Sequence, residues 1–150
     1  MRITKKSILM TFIGILATLI LTGCGATGPK FQAIEIPQKS ESLVYVYRPS
    51  AFMGAAMSFD IHVKSKDGSD KVIGSLSNGS YIKYITKPKK VEFWAKTEAK
   101  SSLTLDMKAN TMYCIKGKMG MGFLVGRPHL SIVENKLCQQ ELKETSAVVK

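Results

Sequence analysis

From Leu43 to Glu134 apolar residues recur at every second position, and this periodicity constrains the fold more than any other feature. The stretch MSFDIHVK sets Met57, Phe59, Ile61 and Val63 against Ser58, Asp60, His62 and Lys64. Side chains of an extended chain point alternately to opposite faces, so this sorting is that of a half-buried β-strand. VEFWAKT repeats the pattern with Val91, Phe93 and Ala95 on one side. LVYVYR (Leu43–Arg48) is nearly all apolar, as expected of a central strand covered on both faces. KVIGSLS, YIKYIT, SLTLDM, TMYCIKGK and LSIVE add further short extended stretches. Turn chemistry separates them at Asp67-Gly68, Asn78-Gly79, Pro88 and Ala109-Asn110. Asn78-Gly79 is the strongest hairpin signal and predicts that its two flanking strands pair. NKLCQQELKE reads as a short helix with Asn135 as its N-cap. Seven or eight short strands followed by one C-terminal helix predict an all-β fold, an antiparallel β-sandwich.

The residues ahead of this domain follow different rules. Met1 to Ser7 carries Arg2, Lys5 and Lys6, and Ile8 to Leu21 is an apolar run of 14 residues. A membrane-spanning helix needs about 20 residues, so an uncleaved anchor helix is the weaker reading, and a secretory signal peptide the stronger. Leu21-Thr22-Gly23-Cys24 resembles the lipobox of bacterial lipoproteins. That resemblance implies diacylglycerol on the Cys24 thiol and cleavage of residues 1–23. The mature chain is then 127 residues, one domain long enough to bury a core. Arg2, Lys5 and Lys6 leave with the leader, so the formal charge falls from +11 to +8. A basic protein held at a membrane is drawn to anionic headgroups and other polyanions, although lysines scattered along polar strand faces are also explained by simple solvation. Gly25, in place of Asp, fits export to the outer membrane under the sorting rule of enteric bacteria. Residues 24–42, with Pro29 and Pro37, form a tether, part of it ordered against the core, and the sandwich domain spans 43–145.

Tyr47, Arg48 and Pro49, then Gly74, Leu76, Asn78, Gly79 and Tyr81, then Pro88 and Tyr113 form a pattern across Leu43 to Leu142. In this pattern the domain resembles a group of small bacterial lipoproteins carrying domain of unknown function 2846. The resemblance implies a small sandwich of the kind used as a binding module, and a place in the cell envelope. Lys89 stands where that family has Gly after the proline, which argues against a type II turn there.

The side chains required for catalysis do not assemble into any motif. His62 falls on the polar face of a strand and His129 follows Pro128, with no spacing that links them. Gly117 to Gly126 looks superficially like a phosphate loop but lacks a Lys-Ser/Thr ending and a following helix. No metal, cofactor or nucleic-acid partner is expected, and no enzymatic activity. The same stretch holds Met119, Met121, Phe123, Leu124 and Val125, either a contact surface or a core strand whose methionines fill gaps. PSAFMGAAM (Pro49–Met57) has the same character. Should both loops fall at one end, they form an apolar rim near Arg48 and Arg127, suited to an amphipathic, acidic partner. Arg48 has two possible roles, holding loop carbonyls or a carboxylate at the strand end, or binding a ligand. With Cys24 lipidated, Cys114 and Cys138 remain in an oxidising compartment, either as a disulfide or as two buried thiols. The expected function is that of a lipid-anchored, periplasm-facing binding or structural module, with an envelope protein, anionic lipid or glycan as partner. An inhibitor of a lytic enzyme is the alternative, and an enzyme on an envelope substrate the less favoured one.

Overall fold

The computed structural model describes residues 26–149, so the leader and Cys24 lie outside the described residues. Strands β1 (Ser42–Arg48), β2 (Phe59–Ser65), β3 (Asp70–Leu76), β4 (Ser80–Thr86), β5 (Lys90–Lys96), β6 (Lys100–Asp106), β7 (Thr111–Gly120) and β8 (Arg127–Ile132) precede one helix, α1 (Asn135–Leu142). A two-residue strand, β9 (Ser146–Ala147), follows it. They form a sandwich of a five-stranded sheet ordered β8-β7-β1-β4-β9 and a four-stranded sheet ordered β3-β2-β5-β6. The core between the sheets is built from the inward halves of the alternating strands, among them Val44, Val46, Phe59, Ile61, Val63, Phe93 and Ile115. β1 is buried along its whole length because it is the middle strand of the larger sheet and both its faces are covered.

The expected all-β sandwich forms, its sheets dominated by antiparallel pairs, with two parallel pairs among them: β1 with β7, Tyr47 opposite Lys116, and β4 with β9. Two sequence expectations need correction, the hairpin at Asn78-Gly79 and the helix N-cap. Asn78-Gly79 does not close a hairpin, since β3 and β4 belong to different sheets. A two-residue hairpin turn of type I′ needs positive φ at both central positions, and here only Gly79 has it, at 64°. The Asn78 side chain is engaged elsewhere, its Oδ1 accepting the Ala51 N–H at 2.9 Å, which ties the turn to the loop after β1. Lys89 is not among the positive-φ residues, so Pro88 starts no type II turn. The hairpin at Asp67-Gly68 does form, with Gly68 at φ 87° and β2 paired to β3. At the helix the N-cap is Glu134 rather than Asn135, with no side-chain capping bond.

A second apolar cluster covers the outer face of the five-stranded sheet. Leu43, Tyr45, Tyr47 and Cys114 point outward and meet Cys138 and Leu142 of α1, with Phe31 and Ile34 of the N-terminal segment packed on top. Phe31 stands edge-on to Tyr45 and to Tyr81, at centroid distances of 5.7 and 5.5 Å. Of the residues assigned to the tether, those from Pro29 onward are therefore fastened: Pro29 accepts the Ala147 N–H, Glu35 donates its N–H to the Tyr45 hydroxyl, and Ser40 donates to Asn110. A disulfide joins Cys114 to Cys138 with Cα atoms 6.1 Å apart, pinning α1 to β7. Beside it, Tyr47 donates its hydroxyl to Glu141 at 2.5 Å and the Lys116 ammonium pairs with the same carboxylate. Burial, then the Glu141 carboxylate, pushes the Tyr47 phenol well above its ordinary value.

Candidate functional site

The parallel pairing of β1 with β7 decides where the candidate residues meet. Parallel neighbours end on the same side, so the β1–β2 loop (49–58) and the β7–β8 loop (121–126) emerge together at one end of the sandwich. Met119 is their junction. A Cβ added to Gly54 would lie 2.9 Å from its Cγ, and one added to Gly126 only 2.5 Å from its Cγ and sulfur. Gly54 also sits at φ 74°, which a larger residue tolerates poorly. A cleft of about 210 Å³ opens between the β1–β2 loop and the last residues of β7, lined by Arg48, Pro49, Ala51, Met53, Lys116, Gly117, Lys118 and Met119.

Arg48 forms the inner wall of this cleft and is only 2% exposed. Its Nη1 donates to the Met57 carbonyl and its Nη2 to the Gly54 carbonyl, both at 2.6 Å, and the guanidinium lies 5.9 Å from the Phe59 ring centroid. This is the carbonyl-holding arrangement anticipated for a strand-end arginine. None of the ion pairs among the described residues includes Arg48, and burial lowers its pKa. The loop is thus organised around a cation whose charge is met by carbonyl dipoles and the Phe59 ring rather than by a carboxylate. Lys116 is also at the cleft, but its charge is committed to Glu141.

The rim is apolar and bare. Phe52 is 102% exposed, Phe123 89% and Leu124 85%, and Met121 and Met53 are exposed beside them. Residues 121–126 belong to no strand, which overturns the core-strand reading of Phe123 to Val125; Met119, at the end of β7, packs against the core instead. Chance collapse does not set this loop's shape. Glu98, in the β5–β6 hairpin, accepts the N–H of Phe123 at 2.8 Å, that of Val125 at 2.5 Å and that of Leu124. Those three amides, Val125 first, hold the Glu98 carboxyl at about 2. Arg127 Nε stands 3.5 Å from the same carboxylate, and Thr97 donates its hydroxyl to the Gly126 carbonyl. Four hydrogen bonds on the backbone therefore hold the apolar side chains outward.

The structure brings together Arg48, Met119, Met121, Phe123 and Arg127 as one end of the molecule. It leaves His62 apart from that end, whereas His129 sits on β8 opposite Lys118. His62 stacks on Trp94 with ring centroids 3.7 Å apart and approaches Asp70 at 3.3 Å, while Trp94 Nε1 donates to Asp70 at 3.1 Å, all on the outer face of the four-stranded sheet. His129 is exposed on β8. Sequence reasoning missed Glu98, because nothing in a hairpin glutamate signals a loop 25 residues away. Among the described residues no group of His, Cys, Asp and Glu is arranged to hold a metal ion.

No protein-family profile matches the chain, and no curated protein matches it. Among solved structures, the chain is similar to the NMR structure of a protein from Eubacterium rectale. The likeness covers 66% of this chain and 94% of that one, at 10% identity and a TM-score of 0.40.

Proposed function

We propose that this protein is a bacterial lipoprotein, anchored through lipid on Cys24, that serves as a non-catalytic binding module of the cell envelope with the Arg48 end as its working surface. The observation that carries this reading is the convergence of two bare apolar loops at one end of the sandwich, beside a cleft walled by a buried arginine. Large apolar side chains fixed in solvent at one end, rather than scattered singly, mark an interaction site. Lys118 and Arg127 are exposed beside them, so the fitting partner is amphipathic and anionic. The lipobox-like LTGC and the resemblance to domain-bearing lipoproteins support the anchor. Two measurements test the reading. Intact mass of the chain made with its own leader is expected to show acyl chains on a mature N-terminus at Cys24, with Cys24→Ser accumulating precursor. A photo-crosslinking residue at position 118 is expected to capture an envelope component that one at position 86, at the opposite end, does not. Equal capture at both positions overturns the assignment of the working end.

A further inference from the structure

Residues 28–31 fix the direction in which the chain leads away from the domain toward Cys24. β9 runs parallel to β4, Ser146 opposite Ser80 and Ala147 opposite Tyr81, so it heads toward the Thr86 end of β4. Lys30 bridges Ser146 in the antiparallel sense: Phe31 donates its N–H to the Thr145 carbonyl, and Pro29 accepts the Ala147 N–H. Followed backwards from Lys30, the chain therefore runs beside β9 toward the end where Ser42 faces Thr86 and Thr111, away from Arg48. Gly28 keeps to this course, so close to the Ala147 carbonyl that a Cβ there would overlap it. Cys24 lies six residues before Lys30, and Thr86 lies six residues beyond Ser80. An extended chain spans at most about 20 Å over either interval. The lipid-bearing cysteine is thus on a leash just long enough to draw level with Thr86.

We infer that the Ser42/Thr86 end faces the leaflet that carries the Cys24 lipid, with its lysines on anionic headgroups, and that the Arg48 end is thereby held about 20 Å clear of the membrane. The inference rests on the anchored reading above and adds which way the domain stands. The loops at this end are basic. Lys39 precedes β1, Lys66 lies in the β2–β3 turn, Lys87, Lys89 and Lys90 join β4 to β5, and Lys108 lies between β6 and β7, all of them exposed. None of the six belongs to an ion pair among the described residues. They outnumber the carboxylates of the same end, Glu41, Asp67, Asp70 and Asp106. Two of those are already engaged: Asp67 accepts the Ser69 amide and hydroxyl, and Asp70 meets His62 and Trp94. Lysine charges attract anionic lipid within a Debye length of about 10 Å, and a short leash keeps them inside that range. The contact is electrostatic, and it leaves the apolar loops of the other end free for a partner beyond the membrane.

The test uses the full chain, processed in cells with its own leader and added to preformed phosphatidylethanolamine–phosphatidylglycerol vesicles that carry a nitroxide on part of their headgroups. Trp94, the single tryptophan, is first replaced by Phe, and one reporter is then introduced by Ala109→Trp at the lysine end or Phe123→Trp at the Arg48 end. Ala109, Phe123 and the lysines changed below are exposed, so none of these substitutions removes a core side chain. We expect quenching at position 109 to exceed that at 123 by about threefold or more, since the two ends stand about 20 Å apart. Lys87→Gln, Lys89→Gln and Lys90→Gln together, or phosphatidylcholine in place of phosphatidylglycerol, are each expected to shrink that difference by about half or more. Equal quenching at both positions, or stronger quenching at 123, overturns the orientation. A difference that survives both the triple variant and the neutral vesicles overturns the lysine contact. So does quenching at neither position while soluble anionic glycan shields the position-109 reporter from iodide, because the lysines then meet a polyanion other than lipid. Intact mass of the same sample decides the anchor separately: with acyl mass and equal quenching the anchored reading stands and the orientation falls, and without acyl mass both fall.

Discussion

The outer face of the five-stranded sheet is covered by residues 29–41 and by α1, whereas the outer face of the four-stranded sheet carries Lys64, Glu92, Trp94 and Ser102 to solvent. The difference is already present in the strands. β1 has no polar position except its two ends, and Leu43, Tyr45 and Tyr47 face away from the main core, so they need a second layer. β2 and β5 alternate and need none. One sheet is thus the middle layer of three, and the other is a free face. The covering layer is held by one disulfide, one aromatic cluster and one charged group of Tyr47, Lys116 and Glu141, in which Glu141 is drawn below the usual carboxylate range: burial opposes this, and the hydrogen bonds from Lys116 and Tyr47 outweigh it.

The largest expected effect is on that covering layer. Replacing Cys114 and Cys138 together by Ala opens a loop of 24 residues, which the chain-entropy account values at about 3 kcal/mol. For a domain of this size the thermal midpoint is expected to fall by roughly 10 °C. The companion measurement is thiol labelling of the denatured, unreduced chain, in which neither cysteine is expected to react. Two reactive thiols would refute the bridge, and α1 would then be held by packing alone.

Phe31→Ala is expected to cost about 2 kcal/mol, the lost burial of one half-covered aromatic ring together with its two edge-on contacts. Chemical denaturation measures it. A cost near zero would return residues 29–41 to the status of a free tether and dissolve the contrast between the faces. On the free face, Trp94→Ala removes the His62 stack and the Asp70 hydrogen bond, yet the side chain is not in the core. The expected cost is under about 1 kcal/mol. A larger loss would mean that the polar face contributes to stability as the covered one does.

How far this was legible in the sequence follows from the range of each signal. Strand positions were legible because alternation acts within a few residues, as at Phe59, Ile61 and Val63. The covering of β1 on both faces was legible in LVYVYR; the identity of the cover was not, because Phe31 and Leu142 lie far from it in the chain. Asn78-Gly79 misled because turn propensity reports a change of direction, not whether the next strand joins the same sheet. The meeting of Arg48, Met119 and Phe123 was foreseeable only as a condition, since it depends on β7 running parallel to β1. Parallel pairing leaves no local mark. Glu98 was invisible for the same reason: its partners are backbone amides, and any residue has those.

The smallest effect on global stability, and the most local, belongs to the Glu98 clamp. It reaches from a hairpin of the free-faced sheet to a loop of the covered sheet, so it joins the two sheets at the Arg48 end without adding to either face. The folded loop binds the ionised carboxylate, which lowers the carboxyl from 4.5 to about 2. Loop closure therefore has its full strength above pH 4.5 and is lost as pH falls through about 2. Amide resonances of Phe123, Leu124 and Val125 are expected to titrate together with a midpoint near 2. A midpoint at 4.5 would mean that the amides do not hold the carboxylate in solution. Glu98→Gln is expected to raise hydrogen exchange at those three amides and at no others, because the neutral amide oxygen is a weaker acceptor and each side-chain hydrogen bond to a charged group exceeds a neutral one by roughly twofold. If exchange instead rises along β7 and β8 as well, the clamp supports the sheet itself, and the exposed tips are not an independent element but an extension of the covered side.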